Sequence, residues 1–80
     1  MVGKFTVYTN SDEVPVQQER TSKFSFLELQ QLLGGRIGVM PYGSRVLVYD
    51  DEGLCKGLAT NKHFPDFVGP VVVMDKKLIK

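Results

Sequence analysis

Arg36-Ile37-Gly38-Val39-Met40-Pro41-Tyr42-Gly43-Ser44-Arg45-Val46-Leu47-Val48-Tyr49 is the stretch that decides the fold. Two apolar runs flank a cluster of turn-forming residues, Pro41-Tyr42-Gly43-Ser44. That pattern predicts a β-hairpin, with strands over 36–40 and 45–49. Just upstream, Ser25-Phe26-Leu27-Glu28 has the form of a capping box. The Ser25 hydroxyl would accept from the Glu28 amide, and the Glu28 carboxylate would reach back to the Ser25 amide. Phe24 and Leu29 are placed to form a hydrophobic staple across the cap. Phe26, Leu29, Leu32 and Leu33 recur at helical spacing, with Glu28, Gln30 and Gln31 outside. Gly34-Gly35 offers the left-handed stop. The spacing therefore predicts a helix over 25–33 leading into the hairpin.

Working outward, residues 3–8 alternate, with Phe5 and Val7 on one face and Lys4, Thr6 and Tyr8 on the other. This is the pattern of a half-buried strand. Its exposed edge could pair with a second copy of the chain. Residues 9–23 are polar and aperiodic, with turn chemistry at Asn10-Ser11-Asp12. So long a loop needs a reason. Either Val14 and Val16 form a short edge strand around Pro15, or the segment is a mobile or partner-binding loop. Downstream, Asp50-Asp51-Glu52-Gly53 is a turn, and 54–58 is expected to continue the meander as a short strand. Residues 59–64 suggest a helical turn, capped by Thr60 or Asn61 and cut short by Pro65. Val71-Val72-Val73-Met74 is apolar on both faces and reads as a central, well-covered strand. The fold class is α+β: one domain over 1–80, with a small, mainly antiparallel β-α-β-β-β sheet and one helix packed on one face.

Composition narrows the function. The chain has 80 residues, a formal net charge of +1 and 42% hydrophobic residues. A domain of this size uses its apolar residues to close one core and has none to spare for a large internal cavity. A site would be a surface, a shallow groove or a cleft between subunits. The charge balance argues against a DNA mimic and against a strong nonspecific nucleic-acid binder. Lys76, Lys77 and Lys80 read as a solvated terminus. The longest apolar runs, Val46–Tyr49 and Val71–Met74, fall far short of the ~20 residues of a membrane span. The start, Met1-Val2-Gly3-Lys4-Phe5-Thr6, has no signal-peptide pattern. One cysteine permits no internal disulfide, which fits a reducing cytoplasm.

The residues that could carry chemistry are few. Cys55 and His63 are the only thiol and the only imidazole, and a dyad would need them adjacent. Four Cys/His ligands for structural zinc are not available. Asp50, Asp51 and Glu52 lack the alternating spacing of a calcium loop and read as a solvated turn. Gly34-Gly35-Arg36-Ile37-Gly38 leaves a helix and enters a strand, whereas phosphate cradles run from strand into helix. Gly38 would mark a bulge or close packing under the helix. No cofactor or metal is expected, and no enzymatic activity. Tyr42, at a hairpin tip, and Phe64 and Phe67, around Pro65, are the aromatics expected at an interface. Phe64 and Phe67 read equally as core plugs.

Four segments carry a family likeness: Gly34-Gly35-Arg36-Ile37, Asp51-Glu52-Gly53-Leu54, Gly57-Leu58-Ala59-Thr60-Asn61 and Gly69-Pro70-Val71-Val72-Val73. In this order they resemble the DUF3846 family of small bacteriophage and mobile-element proteins of unknown function. The likeness spans about half the chain. Gly38 stands where that family tends to carry an acid, and Pro70 where it tends to carry Asp. The resemblance implies context rather than chemistry: a small cytoplasmic accessory protein of phage type. The leading expectation is a non-enzymatic interaction protein that binds and modulates a host protein. Its candidate surface is Tyr42, Arg36, Arg45, Lys62, Phe64 and Phe67. One alternative is an oligomeric nucleotide-sequestering protein with a site between subunits built from Arg36, Arg45, Tyr42 or Lys62. Another is a weak nucleic-acid binder using Arg36, Arg45, Lys62 and the C-terminal lysines.

Overall fold

A computed structural model describes residues 3–10, 14–52 and 56–79. Five strands form one antiparallel sheet: β1 (Gly3–Tyr8), β2 (Gln17–Arg20), β3 (Ile37–Tyr42), β4 (Arg45–Asp50) and β5 (Val71–Asp75), in the order β2-β1-β5-β4-β3. One helix, α1 (Phe26–Leu33), joins β2 to β3, and a 3-10 turn (Lys76–Leu78) follows β5. The architecture is α+β, as the residue pattern predicts. Strand β5 is the middle of the sheet, which is why it is apolar on both faces. Val71, Val72 and Met74 have no exposed surface.

The register separates two cores. On one face Phe5, Val7, Ile37, Val46, Val48, Val72 and Met74 pack with Phe24, Leu29, Leu33 and Leu78. On the other, Leu47, Val71 and Val73 pack with Tyr8, Tyr49, Phe64 and Phe67. Helix α1 belongs to the first face. Its N-terminus forms the predicted capping box: the Glu28 amide donates to Ser25 Oγ at 3.1 Å, and the Ser25 amide donates to Glu28 Oε1 at 3.0 Å. Gly34 ends it at φ +89°, where other residues are strained.

The details depart from the sequence reading in several places. Pro41 and Tyr42 belong to β3 and not to the turn, which is the two-residue Gly43-Ser44 with Gly43 at φ +62°. A positive φ at the first central position suits the twist of a hairpin. Proline is tolerated in the strand because of its phase. The Asp51 amide donates to the Arg36 carbonyl at 3.0 Å, so in the 36↔51 register Arg36, Gly38, Met40 and Tyr42 bond to β4. The main-chain groups of Ile37, Val39 and Pro41 point away from the sheet, where a missing N–H costs nothing.

The strand in the long loop is Gln17–Arg20, not Val14 and Val16, whose side chains are exposed. This added strand covers β1, so Gly3–Tyr8 is an inner strand and the edge expected there does not exist. Phe26 and Leu32, expected on the buried stripe of α1, are 61% and 43% exposed. An eight-residue helix beside Phe24 and Leu78 needs only Leu29 and Leu33 to close the layer. Gly38 packs under Tyr49 on the opposite face: a Cβ there would collide with the Tyr49 ring. No helical turn forms over 59–64, because Asn61 folds the segment differently. Of the strand expected over 54–58, residues 54 and 55 lie outside the described residues; Lys56 and Gly57 form a turn.

Candidate interaction surface

The face of the sheet away from α1 is covered by loop 56–70. Apolar rings alone would not position so irregular a segment, since every buried peptide group needs a partner. Asn61 supplies them. It is wholly buried, and its side-chain amide donates to the carbonyls of Tyr8 at 3.0 Å and Gly69 at 2.9 Å. Its Oδ1 accepts from the amides of His63 at 2.8 Å and Phe64 at 3.1 Å. The loop closes on itself through Asn61 N–H to Phe67 O at 2.8 Å and Gly69 N–H to Ala59 O at 2.9 Å. Asn10, after β1, ties the same loop down by donating to Thr60 O at 2.9 Å and accepting from the Lys62 amide at 2.8 Å.

So held, the loop builds a run of rings. Phe64 meets Tyr8 edge-on at 5.0 Å and Tyr42 at 5.7 Å. His63 lies 5.4 Å from Tyr8, and Phe67 lies 4.9 Å from Tyr49. Such edge-to-face packing adds to burial and fixes ring orientation. Tyr42 is nonetheless 48% exposed, and Met40 is exposed on the same face of β3.

Of the residues singled out from sequence, Tyr42, Phe64 and Phe67 are thus brought onto one face. Phe64 and Phe67 are half-buried and also plug the second core. Arg45 stands beside Tyr42 in register and pairs with Asp75 at 3.6 Å. The Asp75 carboxylate also accepts from the Lys4 amide at 2.8 Å. Lys62 is exposed on the loop. Arg36 lies at the opposite end of the hairpin, a strand length of roughly 20 Å away. The fold does not bring it together with Arg45.

The acidic run is engaged in structure. Asp50 is buried and accepts from the Glu52 amide and from Lys56 Nζ, both at 2.9 Å. Lys56 also donates to the Gly34 carbonyl at 2.8 Å, which clips the start of the loop to the end of α1. Glu52 accepts from the Arg36 amide at 3.4 Å. Among the described residues no three His, Cys, Asp or Glu side chains gather to hold a metal. Cys55 lies outside the described residues, so the pairing considered for it with His63 does too.

Sequence reasoning did not place Tyr8, Met40, His63 or Asn61 at this surface. For Tyr8 and Met40 the signal was present: strand alternation puts them on the faces of Val71 and Leu47. For Asn61 the cue was an Asn three residues before Phe64, which favours a local side-chain turn as well as a helix cap.

No described helix is long and apolar enough to cross a membrane. No family model, no curated protein and no solved structure matches the chain. The likeness to the DUF3846 family rests on the quoted segments alone.

Proposed function

We propose that this chain is a non-enzymatic interaction protein whose binding surface is the loop-side aromatic face, centred on Tyr42. The observation that carries this reading is that Tyr42 is half exposed yet held edge-on by Phe64. An aromatic ring already fixed in place gives contact area at little cost in side-chain entropy. Met40 extends the apolar patch, Arg45 stands beside Tyr42 in register as a polar rim, and Lys62 is exposed on the covering loop. Tyr, Met and Arg are the residue types enriched where protein surfaces meet. The DUF3846-like segments suggest the setting: a phage or mobile-element accessory protein that binds and modulates a host protein in the cytoplasm. The nucleotide alternative has less support, because Arg36 and Arg45 sit at opposite ends of the hairpin and Arg45 is paired with Asp75.

The test is capture from bacterial lysate with the wild-type chain and with Tyr42→Ala as folded baits. A partner held at stoichiometric level by the wild type and lost by the variant supports the reading. Failure to retain any stoichiometric partner, or retention indifferent to Tyr42, overturns it. A melting temperature raised by a nucleotide would favour the sequestering alternative instead.

A further inference from the structure

The sheet ends in two strands that differ in kind. At one edge β2 is short and reads Gln17-Gln18-Glu19-Arg20, the polar, charged guard that edges ordinarily carry. At the other, β3 has no charged residue from Ile37 to Ser44, and Val39, Met40 and Tyr42 are all exposed. The phase of its pairing with β4 leaves the N–H and C=O of Ile37 and Val39 and the C=O of Pro41 pointing outward. None of these groups has a partner among the described residues.

We propose that β3 pairs antiparallel with β3 of a second copy of this chain, about a two-fold axis at Gly38, so that one sheet runs through both chains. Two residues select that register. An axis at Val39 would set Pro41 opposite Ile37 of the second copy, where the ladder needs an N–H that proline lacks. An axis at Gly38 sets Ile37 opposite Val39 of the second copy, and each donates to the other's carbonyl. Every outward donor of β3 is then used, and Pro41 falls just beyond the paired segment, where it stops a longer register.

At the axis the facing residues are the closely spaced, non-hydrogen-bonded kind. Glycine is the residue that brings no side chain there. Its own face is already filled by the Tyr49 ring. The one charge near the edge, Arg36, falls opposite Met40 of the second copy and not opposite its own equivalent. A segment of another protein could use the same main-chain groups. With Gly38 at the axis and Pro41 at the limit, the strand is complementary to a copy of itself.

The paired segment is short, well below the ~1,200 Å² that a permanent interface buries, so the dimer is reversible. Sedimentation against concentration, up to about 1 mM, covers the range of such weak association. The expected result is a monomer passing to a dimer. Over the same range the amides of Ile37 and Val39 gain protection from hydrogen exchange, while those of Gly38 and Met40, bonded to β4, are protected throughout. Val39→Lys adds a charge to an already exposed edge position and is expected to leave a monomer at every concentration. Tyr42→Ala, which touches the aromatic face and not the paired main chain, is expected to leave dimerisation unchanged; this separates the proposal from the reading of that face. A wild type that stays monomeric, or a dimer in which the Ile37 and Val39 amides still exchange freely, overturns it.

Discussion

The two faces of the sheet are closed by different means. On one side a capped helix and a 3-10 turn bring their own hydrogen bonds, and Phe24, Leu29, Leu33 and Leu78 need only fill space. On the other side an irregular loop covers the apolar surface, and the accounting of its peptide groups falls largely on Asn61. Regular structure spreads its polar bookkeeping over many residues, whereas a loop can concentrate it in one. The loop side should therefore be the more easily broken by a single substitution, and it is also the side that carries the exposed ring of Tyr42.

Asn61→Ala tests that contrast most strongly. It removes four side-chain hydrogen bonds from a buried site, at about 1 kcal/mol each, so stability should fall by about 4 kcal/mol. Urea unfolding measures this, and the melting temperature should drop by roughly 20 °C. A loss under about 1 kcal/mol would show that ring packing alone holds the loop.

Lys56→Ala sharpens the comparison, because Lys56 joins the two sides. Removing it deprives the buried Asp50 carboxylate of its cation and the Gly34 carbonyl of its donor. Breaking a fully buried pair costs more, but the Lys56 side chain is partly exposed and Asp50 keeps the Glu52 amide. The expected loss is about 2 kcal/mol, checked by the same unfolding experiment.

The smallest effect lies on the helix side. The Ser25 amide, and then Arg20, hold the Glu28 carboxyl below its ordinary value of 4.5. A depressed folded value means that ionised Glu28 stabilises the protein fully above the ordinary value, and that this contribution fades as the pH falls through the folded one. Glu28→Gln should thus lower the urea midpoint slightly at neutral pH and match the wild type in acid. An equal deficit at both pH values would show that the capping geometry, and not the charge, is what matters.

The helix cap, the hairpin and the buried central strand were legible because each depends on neighbours in sequence. Ser25 and Glu28 are three residues apart, and Val71–Met74 declares its burial by composition. The loop-side surface was half legible. Tyr42, Phe64 and Phe67 could be named, but their meeting depends on a hydrogen bond from Asn61 to Tyr8, 53 residues away. Strand β2 was hidden for a related reason. Its residues are polar because both of its faces meet solvent, so no periodicity marks it.

The amino-acid order by itself determined the class of fold, the position of α1 and the strand at the centre, since caps, turns and apolar periodicity act over a few residues. Only the tertiary structure decided which strands became edges, which rings gathered on the open face and which polar side chain holds the loop in place. Those outcomes depend on which distant main-chain groups meet, and local preference carries no record of that.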